Sequence, residues 1–336
     1  MLKKTKPFRI LSIDGGGIRG IIPGQILVSI EEKLKTKTKN PNARIADFFD
    51  LIVGTSTGGI LTIAYLCPDS KDPKRPKFNA QKVVDLYLER GNEIFSIPIL
   101  HKIESVAGLL DEKYPADELE KALNDYFGET KLSQLLKPCL ITSYDIKRRN
   151  AHFFAQHDAV KDISYDYYAK DIARATSAAP TYFECSQVKS LTNVTYPLID
   201  GGVFANNPAL CAYAEAYNRF DKTAKEMVIL SLGTGYVRKA YDYNDVKNWG
   251  EAKWIRPLLD IMMSGVSDVV DYQLKQMYSA VKSPNQYLRI NTEMPIDVSP
   301  DMDNATQQNL LGLKALGTET AQKNSKVIDD FLNFLI

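Results

Sequence analysis

Histidine is scarce in this chain. Only His101, His152 and His157 occur among 336 residues. Cysteine is scarce too, and Cys67, Cys139, Cys185 and Cys211 form no C-x-x-C pair. That spacing argues against a structural zinc site or a dithiol redox motif and fits reduced, buried thiols. No metal cluster is visible, and neither a metal nor a cofactor is expected. The formal net charge is +1, so no charge excess points to nucleic acid. The densest basic run, "KTKTKNPNAR" at 35–44, reads as a solvated loop before it reads as a site for anionic headgroups. No segment is apolar for long enough to span a bilayer. The start, "MLKKTKPFRILSIDGGG", is basic, but its apolar run is broken by Arg9 and ended by Asp14. It is too short for a signal-peptide core, and no small-residue cleavage site follows. These absences lead us to expect a soluble, cytoplasmic protein.

What the chain does have is an alternation of buried strands and helices. "FRILSI" (8–13) runs into Asp14 and three glycines, and "GIIPGQILVSIEEKLK" follows with Ile22, Ile26, Ile30 and Leu34 at helical spacing. "FFDLIVG" (48–54) is a second apolar strand, and "TGGILTIAYLC" reads as a buried helix after it. We expect further helices at 79–91, closed by Gly91, at 115–128, at 165–180, stopped by Pro180, and at 206–220. Strands are expected at 139–146, 152–155, 196–202 and 226–235. The tail should be helical over 255–281 and 305–335. Strand–turn–helix repetition of this kind predicts a three-layer α/β/α architecture with a largely parallel central sheet. We divide the chain into a catalytic part, 8–235, and a mostly helical part, 236–336, packed on the same domain.

Two glycine-rich turns carry the chemistry. In G-T-S-T-G (54–58), Gly54 and Gly58 flank Ser56 between a buried strand and a buried helix. That setting exposes a nucleophile at the top of a sheet. In "DGGGIRG" (14–20), Gly15, Gly17 and Gly20 match G-x-G-x-x-G. A dinucleotide site would also need an acidic residue at the end of the next strand, and that strand ends in Gly54-Thr55-Ser56 instead. An oxyanion hole of backbone N–H groups at a helix start is the better reading, with Arg19 adding charge or bracing the loop. A serine needs a base. No histidine follows a late acidic residue, so the order Ser, acid, His of the α/β-hydrolases is unavailable. Asp200, at the end of "YPLI" and before Gly201 and Gly202, is the candidate instead. Parallel strands would bring it to the same sheet edge as Ser56, and burial would raise its pKa toward neutrality. A turn aspartate capping the helix at 206 is the plain alternative.

The four stretches "SIDGGGIRGIIP", "GTSTGG", "ARATSAAPTYF" and "DGGVFANNP", in that order, resemble the patatin-like phospholipases, as does "ILSLGTG" (229–235). The resemblance runs from about Phe8 to about Ala216. It implies a Ser–Asp dyad without histidine: Ser56 as nucleophile, Asp200 as base, and Gly15, Gly16 and Gly17 as the oxyanion hole. It implies a calcium-independent lipid acyl hydrolase acting on phospholipids or other acyl esters, with transient membrane-surface contact. An acyltransferase using the same dyad and a low-turnover lipid-binding protein are the alternatives. The apolar stretch 93–100, with Ile97, and the methionines Met262, Met263 and Met277 are read either as core or as walls of an acyl channel.

Overall fold

The computed structural model describes residues 6–94, 114–238 and 241–336. Its strands are β1 (Phe8–Ile13), β2 (Leu51–Thr55), β3 (Cys139–Asp145), β4 (Asn150–Ala155), β5 (Ser186–Lys189), β6 (Thr195–Asp200), β7 (Met227–Leu232) and β8 (Tyr287–Ile290). They form one mixed sheet in the order β5-β6-β3-β2-β1-β7-β8, with β4 also paired to β3. The run β3-β2-β1-β7-β8 is parallel throughout. Strands β4, β5 and β6 join by antiparallel pairing.

Helices cover both faces. We label those used below α1 (Ile21–Thr38), α2 (Thr57–Leu66), α3 (Ala80–Ile94), α4 (Asp117–Phe127), α5 (Ala169–Thr176), α6 (Gly202–Ala205), α7 (Ala209–Arg219), α8 (Glu251–Ala280), α9 (Gln307–Lys323) and α10 (Ser325–Leu332). Alternate strand residues point to opposite sides. Leu11, Ile13, Ile52 and Leu230 enter the larger core with α1, α2, α3 and α9. Ile10, Leu51, Val53 and Ile229 enter a smaller core with Ala209, Ala212 and Ala216 of α7 and Val270, Leu274 and Tyr278 of α8. This is the expected three-layer arrangement.

Several expected boundaries move. Gly91 does not close α3, which continues to Ile94. A Cβ at Gly91 would stand 2.8 Å from Ile18 Cδ1, so the glycine permits close packing rather than a stop. Helix α5 ends at Thr176, four residues before Pro180. The tail beyond 305 is two helices broken at Asn324. Strand β8 was not anticipated: "YLRI" is four residues long and extends the sheet edge beside β7. His101 and Ile97 lie outside the described residues.

Candidate active site

Ser56 sits between β2 and α2 at φ 54° and ψ −122°. A side chain rarely adopts that backbone conformation, which costs about 1–3 kcal/mol and persists only where the surroundings impose it. The imposition is local. A Cβ on Gly54 would run into the Gly58 carbonyl, and one on Gly58 into the Ile13 carbonyl, so the turn can be this tight only with glycine at both places. The Ser56 N–H donates to Thr176 Oγ1 at 2.8 Å, and Thr176 Oγ1 donates to the Thr142 carbonyl at 2.7 Å. Thr176 comes from "ARATSAAP", which thereby ties α5 to the elbow.

Asp200 reaches the same place, but not as the end of a parallel strand. Strand β6 is antiparallel to β3, with Asp200 opposite Ser143. The shared edge therefore does not come from parallel strand ends. Strand β6 starts beyond the sheet's C-terminal edge and runs back toward it. Its last residue stops one position past the Thr55–Thr142 pair that precedes Ser56. Gly202 N–H donates to Asp200 Oδ1 at 2.7 Å. Ser56 and Asp200 are 7% and 5% exposed. Burial pushes the Asp200 carboxyl up to about 7, against the opposing pull of the neighbouring Ser56 hydroxyl and the Gly202 N–H.

The glycine loop is held from several sides. Gly15 N–H donates to the Asn206 carbonyl at 3.0 Å, and Ile18 N–H to the Met302 carbonyl at 2.8 Å. Thr234 Oγ1 donates to the Gly15 carbonyl at 2.7 Å. Gly17 has φ +59°, a left-handed turn that turns the chain into the following helix. The N–H of Gly15, expected in the oxyanion hole, is thus already engaged. The loop glycines that line the cavity beside Ser56 are Gly16 and Gly17. Arg19 Nε donates to the Gly16 carbonyl at 3.3 Å, so its observed contact is a brace on the loop. Gly20 packs on Thr57, and Gly201 on Thr142, each where a Cβ would clash.

Behind the loop stands an ion pair that no motif announced. Arg289 of β8 donates to both carboxylate oxygens of Asp14, at 2.8 and 2.5 Å, and to Ser231 Oγ at 2.9 Å. Both side chains are buried. Burial raises the Asp14 pKa, and Arg289 works against that rise. The only signal for Arg289 in the sequence was an arginine inside the short apolar run "YLRI".

The cavity at this site holds about 170 Å³ and is lined almost wholly by apolar groups. Ser56, Asp200, Gly16 and Gly17 face it, together with Ile60, Leu119, Ala122, Leu123, Phe183, Met262 and Met263. Met277 lies elsewhere, packed against the smaller core. His152 is stacked among Phe154, Tyr167 and Tyr196, and His157 Nε2 meets Glu215 Oε1 at 2.6 Å. Neither lines the cavity.

A family profile described as patatin-like phospholipase matches residues 11–213. Patatin-like protein 1 of Arabidopsis thaliana is 36% identical, over 94% of this chain and 83% of its own. The chain belongs to the patatin-like phospholipase family. Another member, named probable inactive patatin-3-Kuras 1, of Solanum tuberosum, is 32% identical over 94% of this chain and 86% of its own. Among solved structures, human GIVD cytosolic phospholipase A2 aligns with a TM-score of 0.46 and 13% identity, over 98% of this chain and 60% of that one. The matched patatin-like region contains the glycine loop, the serine elbow and Asp200, and it stops before Arg289 and Met302.

Proposed function

We propose that this patatin-like protein is a lipid acyl hydrolase of phospholipase A or lysophospholipase type, working through Ser56 and Asp200. Ser56 Oγ attacks the ester carbonyl carbon while its proton passes to the Asp200 carboxylate. The oxyanion that forms is held by the N–H groups of Gly16 and Gly17, which are fixed before the substrate arrives. The tetrahedral intermediate collapses, the carbon–oxygen bond to the alcohol breaks, and Asp200 returns the proton to the leaving oxygen. Water then attacks the acyl-enzyme, gives its proton to Asp200, and releases the fatty acid with Ser56 restored. The observation that carries this reading is a strained, buried serine beside a carboxyl titrating near neutrality, at the wall of an apolar cavity suited to an acyl chain. No step passes through calcium, so EDTA should leave the rate unchanged.

The test is p-nitrophenyl butyrate turnover. Ser56→Ala and Asp200→Asn should each lose at least about 1000-fold in kcat/KM, with the double variant little worse than either, because the two act as one unit. In the wild type, kcat/KM should rise with pH through about 7 as Asp200 ionises. The same carboxyl makes a stability statement. Its folded-state pKa lies above the ordinary value of 3.8, so folding binds the proton and stability falls as pH rises from about 4 through about 7. Asp200→Asn should therefore melt above wild type at pH 8, and the gap should shrink toward pH 4. Full turnover in a folded Asp200→Asn protein would refute the dyad. The rival reading, lipid binding with little turnover, draws support from the potato relative named inactive. Wild-type turnover no faster than Ser56→Ala, in a protein that still binds lipid, would favour it.

A further inference from the structure

Helix α8 has two apolar faces, and the fold uses one. Val270, Leu274 and Tyr278 are buried against α7 and the sheet. On another face Leu258, Ile261, Met262, Val269 and Tyr272 are 47, 41, 46, 54 and 64% exposed. Their spacings of three, four, eleven and fourteen residues from Leu258 place them in one stripe, about 21 Å long at helical rise. Single exposed apolar residues need no explanation, but five on one face of one helix do.

The stripe adjoins the site. Met262 belongs both to the exposed row and to the lining of the cavity that holds Ser56. Just before and inside the start of α8, Tyr241, Trp249 and Trp254 pack edge to face, with ring centroids 5.5 and 5.3 Å apart. Such rings, apolar in body and polar at one tip, suit a water–lipid boundary. Among the described residues no helix is long and apolar enough to cross a membrane. Lying on the surface is the mode left to α8.

We propose that this stripe seats the protein on a lipid surface with the cavity mouth against it, a proposal that rests on acyl lipid being the substrate. A second copy of the chain fits less well as occupant, because it would cover the rim at Met262 through which an acyl chain enters. Among the described residues of the helix, exposed Asp260 and Asp268 stand beside exposed Lys253 and Lys275, so these charges give the stripe no cationic excess. The docking is therefore apolar, works on neutral lipid and is insensitive to salt.

The chain's only two tryptophans are Trp249 and Trp254, so tryptophan emission, excited at a wavelength that tyrosine does not absorb, reports on this region alone. The full-length Ser56→Ala protein, which turns over nothing under the proposed mechanism, is mixed with phosphatidylcholine vesicles. It should float with them at low and high salt, its emission should shift to the blue, and lipids with brominated acyl chains should quench it. Adding Ile261→Glu with Val269→Glu should cut partition at least about tenfold, since charged groups resist burial. With Ser56 restored, hydrolysis of vesicle lipid should fall in parallel while p-nitrophenyl butyrate turnover stays within about twofold, because neither residue lines the cavity. Absence of flotation and quenching in the Ser56→Ala protein overturns the proposal whatever the esterase assay says, and does so without any stripe variant having to fold. Loss of partition in the double variant alongside absent wild-type esterase activity upholds the surface and refutes the hydrolase reading. A double variant that turns from dimer to monomer in sedimentation yet still floats assigns the stripe to contact between copies, and overturns the proposal.

Discussion

Residues 8–235 hold every motif, while residues 236–336 hold none, yet the site is built from both. The first region supplies Ser56, Asp200 and the glycine loop. The second supplies Arg289, which grips Asp14 at the base of that loop, the Met302 carbonyl, which takes the Ile18 N–H, and the α8 methionines of the cavity wall. Reacting atoms must be particular residue types at particular spacings, so they leave a pattern. Supports need only arrive with suitable charge or bulk, from any point in the chain, and they leave none. The difference teaches that a region without motifs can still fix the geometry on which the motifs act.

The strongest way to break that comparison is Arg289→Met. Removing one partner of a buried ion pair leaves an uncompensated charge, typically at a cost of about 3–5 kcal/mol. We expect a lower melting temperature. We also expect a fall in kcat of about 10- to 100-fold, less than the roughly 100- to 1000-fold lost when an oxyanion donor is removed outright, because the loop keeps its donors and loses only a support, with KM little changed. Asp14→Leu combined with Arg289→Met should recover stability, because no charge is then left buried, but not kcat, because the base of the loop has lost its anchor to β8. Recovery of both in the double variant would show that Arg289 serves the fold alone.

The same contrast explains what could be read in advance. Strands β1, β2 and β7, and the first half of β3, are mostly apolar because helices cover both of their faces, and this makes them conspicuous. The glycine elbow was legible because only glycine fits beside the carbonyls at positions 54 and 58. Strand direction was not legible. "YPLID" gives an apolar run ending in a carboxylate equally well for a parallel or an antiparallel strand, and β6 proved antiparallel. The engagement of Gly15 was hidden as well, since an N–H leaves no trace in residue type and its acceptor, the Asn206 carbonyl, lies far along the chain. Strand β8 escaped notice because four residues at a sheet edge carry too little periodicity to stand out.

A second prediction sharpens the comparison, because the cavity wall is shared between the regions. Ala122 of α4, buried, comes from the first, and Met262 of α8, half-exposed at the rim, from the second. Ala122→Phe or Met262→Trp takes room from an acyl chain without touching Ser56. If two or three methylenes are excluded at about 0.8 kcal/mol each, kcat/KM for a long ester should fall about 10- to 50-fold. Measured over p-nitrophenyl esters from C4 to C16, the loss should grow with chain length and stay within about twofold at C4. An equal loss at every length would return both side chains to a packing role. A long-chain loss in Ala122→Phe alone would confine the acyl wall to the first region.

The smallest kinetic effect is expected from the histidines, which lie inside the motif-bearing region but have no part in the proposed dyad; His152 and His157 do not line the cavity. Burial in the aromatic stack pushes His152 down to about 4, and its Nε2 has no hydrogen-bond partner, so it is held neutral. A histidine depressed in the folded state is protonated first in the unfolded chain. Stability should therefore be lost as pH falls from about 6.5 toward 4, by about 3 to 4 kcal/mol at most at roughly 1.4 per pH unit. His152→Phe keeps the ring and removes the titrating group, so it should flatten that part of the acid-stability profile. His157→Gln keeps a donor for Glu215. Combined with His101→Gln, these changes should leave kcat at pH 8 within about twofold of wild type, or about 0.4 kcal/mol of barrier. A loss of several orders of magnitude in a folded triple variant would make one of the three the base, and would leave Asp200 as a buried turn aspartate after all.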